Sequence, residues 1–372
     1  MGKKKSIAIA ITGNIYTDQR IIRIANTLQE NNFDVSVYYR PFLKYTNIHI
    51  ENKTKTIAYP FEIVSVNSIL NKGFLFYLLY NLILFCKLIF KKIDILYAVD
   101  SDTLLAMTLL TKIKSKPLIY DAHEYFTEVP ELIGKTFKKR IWNWITQWGV
   151  NSSLIRLTVS ETLTKELSKK YNKTFDSIIN VPILTSPLNN KIPIKKPIIL
   201  YQGALNAGRE LHLLISAMKR LPNFTCLIVG EGDLSIELRN LVSEQEINNV
   251  SFLGLLSPNE LSNMTNNAFI GFNLLESNSL SYYYSLSNKY FDYMHAGVPS
   301  LSSQLPEYEI LNTELKCGLC IENTSDKIVE SVNFLFNNKK EYQIMVENAI
   351  IASANHNWQK ESQKLLTILN RI

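Results

Sequence analysis

"NVPILTSPLNNKIPIKKP", residues 180–197, decides the fold, because one regular pattern stops there and a second one starts. The stretch carries four prolines with lysines and asparagines among them. Proline fixes φ and has no backbone N–H to donate, so a run this dense continues neither a helix nor a central strand and reads as a linker. Before it, apolar strand-like runs alternate with helical ones. "SIAIAIT" leads to a loop at Gly13, a helix from about Thr17 to Asn31 and "DVSVYY". "IDILYAV", a helix after Asp102, "KPLIYDAHE", "LIRLTVS" and the helix "ETLTKELSKKY" follow. After the linker the alternation restarts with "IILYQG", a helix from Arg209, "FTCLIVG", a helix near Leu234–Ser243 and "VSFLGLL". A capping-box start at "SPNE" (257–260), then "FIGFNLL", the helix in "NKYFDYMHA" and "VPSLSS", complete it. Repeated βα units predict an α/β protein of two domains, each a parallel sheet with helices on both faces. Such domains are expected to bind ligands in a cleft between them, at the carboxyl ends of the strands.

Composition sets the outer bounds. A chain of 372 residues is long enough for two cores, and 46% hydrophobic with 20% charged excludes a disordered or fibrous protein. The net charge of +7 is uneven: residues 1–185 hold 25 Lys+Arg against 15 Asp+Glu, and residues 186–372 hold 15 against 18. A basic first half reads either as solvated lysines or as attraction to an anionic surface such as a membrane leaflet. No nucleic-acid motif or basic-aromatic platform accompanies it, so a nucleic-acid partner is not expected. Four cysteines are too few for a disulfide scaffold, and "CGLC" (317–320) lies late, in an apparent strand, with no second ligand pair. The opening "MGKKKSIAIAITG" imitates a secretory signal and a myristoylation site, but it is read as a plain first strand of a cytoplasmic protein. "GFLFYLLYNLILFCKLIF" (73–90) is long enough to consider as a membrane span. Asn81 and Lys87 interrupt it and it runs straight into "IDILYAV", so a packed helix is expected, partial contact with lipid remaining open.

Three loops carry candidate chemistry. In "YQGALNAGRELHLL" a strand ends at Gly203 and a helix is expected to open at Arg209, so backbone N–H groups, a helix dipole and a guanidinium converge where a phosphate would fit. In "SLSNKYFDYMHAG", Asn288, Asp292 and His295 recur at helical spacing as one polar stripe, with Lys289 at the helix start. At 1.5 Å per residue Asp292 lies ~6 Å along the axis from Asn288, about the reach from a nucleotide's phosphates to its ribose hydroxyls. A structural Lys289–Asp292 pair is the alternative. In "YDAHEYFTEVPEL", His123 and Glu124 sit just past a strand end. "VDSD", Asp100 to Asp102, imitates a metal-binding pair, but Asp102 is read as the N-cap of the next helix and no metal site is expected.

These pieces together resemble the retaining nucleotide-sugar glycosyltransferases of the GT-B fold, family four (glycosyl transferases group 1). The resemblance runs in order through "TDQRIIRIANTLQENNFDVSVY", "YDAHEYFTEVPEL", "LTVSETLTKEL", "GALNAGRELHLLISAM", "LIVGEGDL", "VSFLGLL", "SLSNKYFDYMHAGVPSLSS" and the terminal "HNWQKESQKLL". It implies two Rossmann-like domains: 1–185 on the acceptor side, 186–354 binding the nucleotide-sugar, and 355–372 as a helix returning to the first. It also implies a metal-independent transferase of hexosyltransferase type, with no cofactor. That enzyme would move a sugar from a nucleotide diphosphate sugar to a glycan or lipid-linked acceptor, in bacterial surface polysaccharide synthesis. The basic first half and the apolar 73–90 stretch, read with it, suggest a cytoplasmic protein peripheral on the membrane's inner face. By the resemblance Arg209 holds the donor diphosphate, Asp292 the ribose, and Gly254 and Leu255 the base through backbone groups; Gly203, Asn288 and Lys289 are read beside Arg209 from the strand end and the helix start, and Tyr284 is placed at the donor as well. His123 stands near the transferred sugar and acceptor, with Glu124 beside it and Gly13 and Asn14 in the N-terminal glycine loop. Two departures stand out: Tyr284 replaces the usual glutamate eight positions before the ribose-binding acid, and Ala204 replaces the arginine after the first glycine. They leave a catalytically silent GT-B subunit open, and a GT-B sugar-nucleotide epimerase is the other alternative.

Overall fold

The computed structural model describes residues 4–41, 59–70, 73–185 and 197–372, so the extreme N-terminus and the centre of the proline-rich linker lie outside it. The chain divides into two compact units, Met1–Asn180 with Glu361–Ile372, and Val181–Lys360.

In the first unit, β1 (Lys5–Ala10), β2 (Phe33–Tyr39), β3 (Glu62–Ser65), β4 (Ile95–Val99), β5 (Leu118–Ala122), β6 (Ile155–Thr158) and β7 (Asp176–Ser177) form one parallel sheet in the order β3-β2-β1-β4-β5-β6-β7. The fully buried runs "ILYAV" and "LIYDA" of β4 and β5 take its centre, as expected of strands covered on both faces. Helix Gln19–Glu30 follows β1. Its buried stripe of Ile21, Ile24, Ala25 and Leu28 repeats at helical spacing, and Asp18 caps it by accepting from the Ile21 N–H. The chain after Glu361 is tied to this unit, with Glu361 accepting from the Ile179 N–H (2.8 Å) and Arg371 paired to Asp176 (2.6 Å).

The second unit repeats the plan. β8 (Ile198–Gln202), β9 (Thr225–Val229), β10 (Val250–Gly254), β11 (Ile270–Asn273), β12 (Ser300–Ser303) and β13 (Gly318–Ile321) run parallel in the order β10-β9-β8-β11-β12-β13. Strand order reverses beside β1 in one sheet and beside β8 in the other, which is where open α/β sheets bind ligands. Helix Asn288–His295 packs against β11 at unusually short range. A Cβ at Gly271 would lie 2.2 Å from the Tyr293 ring, and the Tyr293 hydroxyl donates to the Leu200 carbonyl of β8 (3.0 Å). That approach lays the polar face of the helix against the end of β8. The capping box at 257–260 is present: the Ser257 hydroxyl accepts from the Glu260 N–H, and the Glu260 side chain accepts from the Ser257 N–H. Cys317 stands just before β13 and Cys320 within it, the first buried and the second half-buried. Burial raises both thiols, Cys320 to about 11, which disfavours the thiolate.

Residues 73–90 form helix Phe74–Ile89, and among the described residues no helix is long and apolar enough to cross a membrane. Asn81, expected as an interruption, is a joint. Buried, it donates to the Asp102 carbonyl (2.7 Å) and accepts from the Ala106 N–H (2.9 Å), fastening this helix to helix Leu104–Lys114.

Candidate functional site

The second unit's site is built where β8, β9 and β10 end. The chain turns at Gly203 directly after Gln202, and its N–H donates to Val229 (3.0 Å). Gly230 follows β9, and a Cβ there would lie 1.9 Å from the Gly203 carbonyl oxygen, so only glycine allows the two turns to touch. The Gly230 N–H in turn donates to the Gly254 carbonyl (2.8 Å). Gly203 and the Gly254–Leu255 turn, expected to meet phosphate and base, thus share one layer of backbone, with Leu255 exposed at its edge.

Beyond Gly203 the helix opens at Leu211, two residues later than expected. Glu210 takes a left-handed conformation (φ +54°) and accepts from Asn323 (2.9 Å), which places Arg209 in the loop ahead of the first turn. The Arg209 guanidinium lies 5.4 Å over the Tyr282 ring, and its Nε is buried without a hydrogen-bond partner. Such an N–H is costly unless a ligand completes it.

Lys289, second residue of its helix, is buried, its ammonium 4.6 Å over the Tyr201 ring. Burial pushes its pKa well below the ordinary lysine value, Arg209 pushes it further, and Asp292 opposes them. The two cations therefore share one field, and the carboxylate that would pair with the lysine does not outweigh the rest. At the helix start Ser287 supplies no side-chain cap: its N–H donates to the Tyr308 hydroxyl (2.8 Å) and its own hydroxyl turns to Asn273. The positive end of the helix dipole is thus presented beside Lys289 and the exposed Asn288. An arginine, a desolvated lysine and a helix N-terminus at one place are groups that an anion can engage together.

Asp292 sits one turn further on, half-buried, its Oδ2 accepting from Gln202 Nε2 (2.8 Å). The expected stripe does not extend past it. His295 Nε2 lies 2.7 Å from the His356 carbonyl oxygen, so that histidine fastens the helix instead of facing the site. Tyr284 packs edge-on against Tyr283 (5.0 Å), and Tyr282 is the tyrosine that meets Arg209. Sequence reading missed Gln202, Tyr201, Tyr282 and Gly230. The one signal was a lone amide at the end of an otherwise apolar strand, "IILYQG".

In the first unit β5 carries Asp121, fully buried, and His123 follows one residue past the strand. Asp121 accepts from Arg20 Nε (3.0 Å) and Nη2 (2.8 Å) and from the Tyr97 hydroxyl (2.7 Å), with His123 Nε2 at 3.1 Å. Burial alone would raise the Asp121 carboxyl, but Arg20 and then His123 hold it far below the usual carboxylate range. Burial alone would lower His123, but Asp121 foremost, and then Asp100, lift it to about 9. Near neutral pH His123 is therefore an imidazolium, 20% exposed, able to donate a proton in a hydrogen bond and unable to act as a base. Its backbone N–H is held by Asp100 Oδ1 (2.8 Å), and Glu124 beside it is exposed.

In the glycine loop the two expected residues differ in their surroundings. Asn14 is buried and its Oδ1 accepts from the Tyr16 N–H (3.2 Å), which builds the turn, while a Cβ at Gly13 would meet nothing within 4 Å. Asp102 is not the expected N-cap. Thr103 holds that position without a side-chain bond, while one Asp102 carboxylate oxygen accepts from the Thr12 hydroxyl and the other is buried unpartnered. Burial lifts the Asp102 carboxyl to about 6, the Thr12 bond opposing. Among the described residues no group of three or more His, Cys, Asp or Glu is placed to hold a metal ion.

Residues 185–351 match the family model "Glycosyl transferases group 1", and no curated protein matches the sequence. Among solved structures, HepE of Anabaena in complex with UDP and glucose is similar at TM-score 0.76 and 15% identity, covering 99% of this chain and 100% of that one. Sucrose-phosphate synthase from Thermosynechococcus elongatus is similar at TM-score 0.80 and 12% identity, covering 99% of each chain. WaaG, described as a glycosyltransferase involved in lipopolysaccharide biosynthesis, is similar at TM-score 0.74 and 15% identity, covering 96% of this chain and 98% of that one.

Proposed function

We propose that this chain, a GT-B fold protein whose residues 185–351 carry the glycosyl transferases group 1 domain, moves a sugar from a nucleoside diphosphate sugar to a hydroxyl acceptor. The observation that carries the reading is the pairing of Arg209 with the buried Lys289, both resting on aromatic rings at the strand ends and the helix N-terminus. Fixed positive charge there stabilises a departing diphosphate, where most of the transition state's charge collects. In this reading no metal is required, because the two cations and the helix end supply that stabilisation. Asp292 holds the ribose hydroxyls, and the Gly254–Leu255 backbone meets the base. His123, charged and anchored by Asp121, donates to a hydroxyl of the sugar or acceptor and orients it. Retention, with the acceptor attacking on the face that the diphosphate leaves, follows from the family resemblance.

We place the acceptor on a glycan or lipid carrier, with the protein peripheral on the cytoplasmic leaflet, in surface polysaccharide synthesis. Supporting this, helix Phe74–Ile89 leaves Phe74, Leu75, Leu78 and Leu82 exposed, with Phe90 just beyond it and Lys87, Lys91 and Lys92 exposed nearby. Each lysine near an anionic surface adds ~1 kcal/mol, screened by salt. Binding to anionic liposomes that weakens as salt rises is expected; failure to bind anionic and neutral liposomes alike points to a soluble acceptor.

The experiment is transfer or hydrolysis by the purified chain across a panel of nucleotide-sugars, with His123→Ala beside it. We expect donor consumption in the wild type and a loss of at least ~10²-fold in the variant, the scale of a positioned polar group. Nucleotide binding with no turnover of any donor would favour the silent subunit, the reading to which Tyr284 and Ala204 lend support. Interconversion of the donor without an acceptor would favour the epimerase.

A further inference from the structure

Gln202 is a costly residue for its place. It ends β8 among fully buried neighbours, is itself 5% exposed, and an apolar side chain there would need no partner. A buried amide is tolerated only when both of its ends are hydrogen-bonded. Both are: Nε2 lies 2.8 Å from Asp292 Oδ2, and Oε1 lies 2.8 Å from the Thr265 hydroxyl, on a residue 4% exposed. The Thr265 oxygen is also 2.8 Å from the Leu261 carbonyl, one turn back in helix Pro258–Asn266. A hydroxyl has one proton and two acceptors compete for it. Left to itself, a helical threonine donates to the carbonyl four residues back. The amide would then turn its NH₂ to the hydroxyl and its oxygen to Asp292, oxygen facing carboxylate. An ionised Asp292 forbids that orientation, so the amide points its NH₂ at the carboxylate and the threonine proton goes to Oε1.

We infer that Gln202 and Thr265 are positioning residues, a buried relay that fixes the plane of the Asp292 carboxylate so that it can accept from both ribose hydroxyls. The inference rests on the ribose reading of Asp292. Aspartate is shorter than glutamate, and a carboxylate reaching a two-hydroxyl target from a short stem has little room to adjust. The Gln202 amide donor holds Oδ2 and so restrains rotation of the carboxylate. The relay acts only on ligands that carry a ribose, and it favours ribose over 2′-deoxyribose, since a fixed carboxylate serves both hydroxyls and a loose one serves either.

The test is isothermal titration of wild type, Thr265→Val, Thr265→Ser, Gln202→Leu and Asp292→Asn. The probes are UDP, 2′-deoxy-UDP and inorganic pyrophosphate, with GDP and ADP and their 2′-deoxy forms substituted if UDP is not bound. We expect Thr265→Val and Gln202→Leu to weaken the ribonucleotide roughly three- to tenfold, the range of one hydrogen bond. Pyrophosphate should be unchanged, and the preference for ribose over deoxyribose should shrink towards one. Thr265→Ser keeps the hydroxyl and should restore wild-type values, which separates the relay from packing. In the Asp292→Asn background the Gln202 change should add nothing further. Equal weakening of all three probes, or no weakening while Asp292→Asn still separates UDP from pyrophosphate, overturns the relay. If Asp292→Asn itself fails to separate them, the ribose reading falls first and the relay with it.

Discussion

Replacing His123 by glutamine should remove a pH-dependent part of the first unit's stability. In the folded protein Asp121 and Asp100 hold the imidazolium, lifting its pKa from 6.5 to about 9. A rise of about 2.5 units, at about 1.4 kcal/mol per unit, corresponds to about 3 kcal/mol. The same charge pair also lowers Asp121, so the energy is counted once. The folded pKa lies above the unfolded one, so this contribution is fully present below pH 6.5 and is lost as pH rises through about 9. His123→Gln should therefore be less stable than wild type by up to about 3 kcal/mol at pH 6, and the gap should close by pH 10. Two assays read it: urea unfolding of the first unit at several pH values, and an NMR titration in which the signal missing from the variant identifies His123. A midpoint near 9 is expected, with activity persisting through neutral pH and falling above it as the charged donor is lost. A midpoint at or below 6.5, or a stability gap independent of pH, would refute the charge network and reopen His123 as a base.

Gly230→Ala drives a Cβ to within 1.9 Å of the Gly203 carbonyl, and neither backbone can yield, so the second unit should lose ~2–5 kcal/mol in urea unfolding. Gly13→Ala meets nothing within 4 Å and should stay within ~0.5 kcal/mol; a comparable cost there would contradict the geometry. Burial and Arg209 depress Lys289, and a bound diphosphate should oppose both and raise its pKa. Titrations in buffers of different ionisation enthalpy should then show uptake of up to about one proton, an affinity that falls as pH rises, and neither effect in Lys289→Met. Binding heats independent of buffer would rule out the shared field of the two cations.

Much of the fold was legible because both of its signals are local. Apolar runs bounded by glycine and polar residues mark the strands of the two sheets, and the proline-rich stretch marks where one series ends. Lys289 and Asp292 were legible for a similar reason: a charge inside an aromatic helix stands out whatever surrounds it. What was lost depends on distant partners. "DTLL" reads locally as a cap, but Asp102 is claimed by Thr12, 90 residues earlier, across adjacent strand ends. His295 keeps the helical spacing of the site yet is taken by the His356 carbonyl. Gln202 gave almost no signal, because its meaning lies in Thr265, 63 residues away, and in Asp292, 90 residues away. The setting of Arg209 was misjudged by two residues because the left-handed Glu210 delays the helix.

Whether the second unit binds a nucleoside diphosphate with Asp292 on the ribose is read by titrating wild type and Asp292→Asn with a nucleoside diphosphate and with pyrophosphate. The nucleoside diphosphate should lose ~1.5–3 kcal/mol, roughly ten- to a hundredfold in affinity, because charge-assisted hydrogen bonds to the ribose are gone. Pyrophosphate, held by Arg209, Lys289 and the helix end, should bind both proteins alike. An equal loss for both ligands, or no loss for either, would contradict the ribose reading of Asp292.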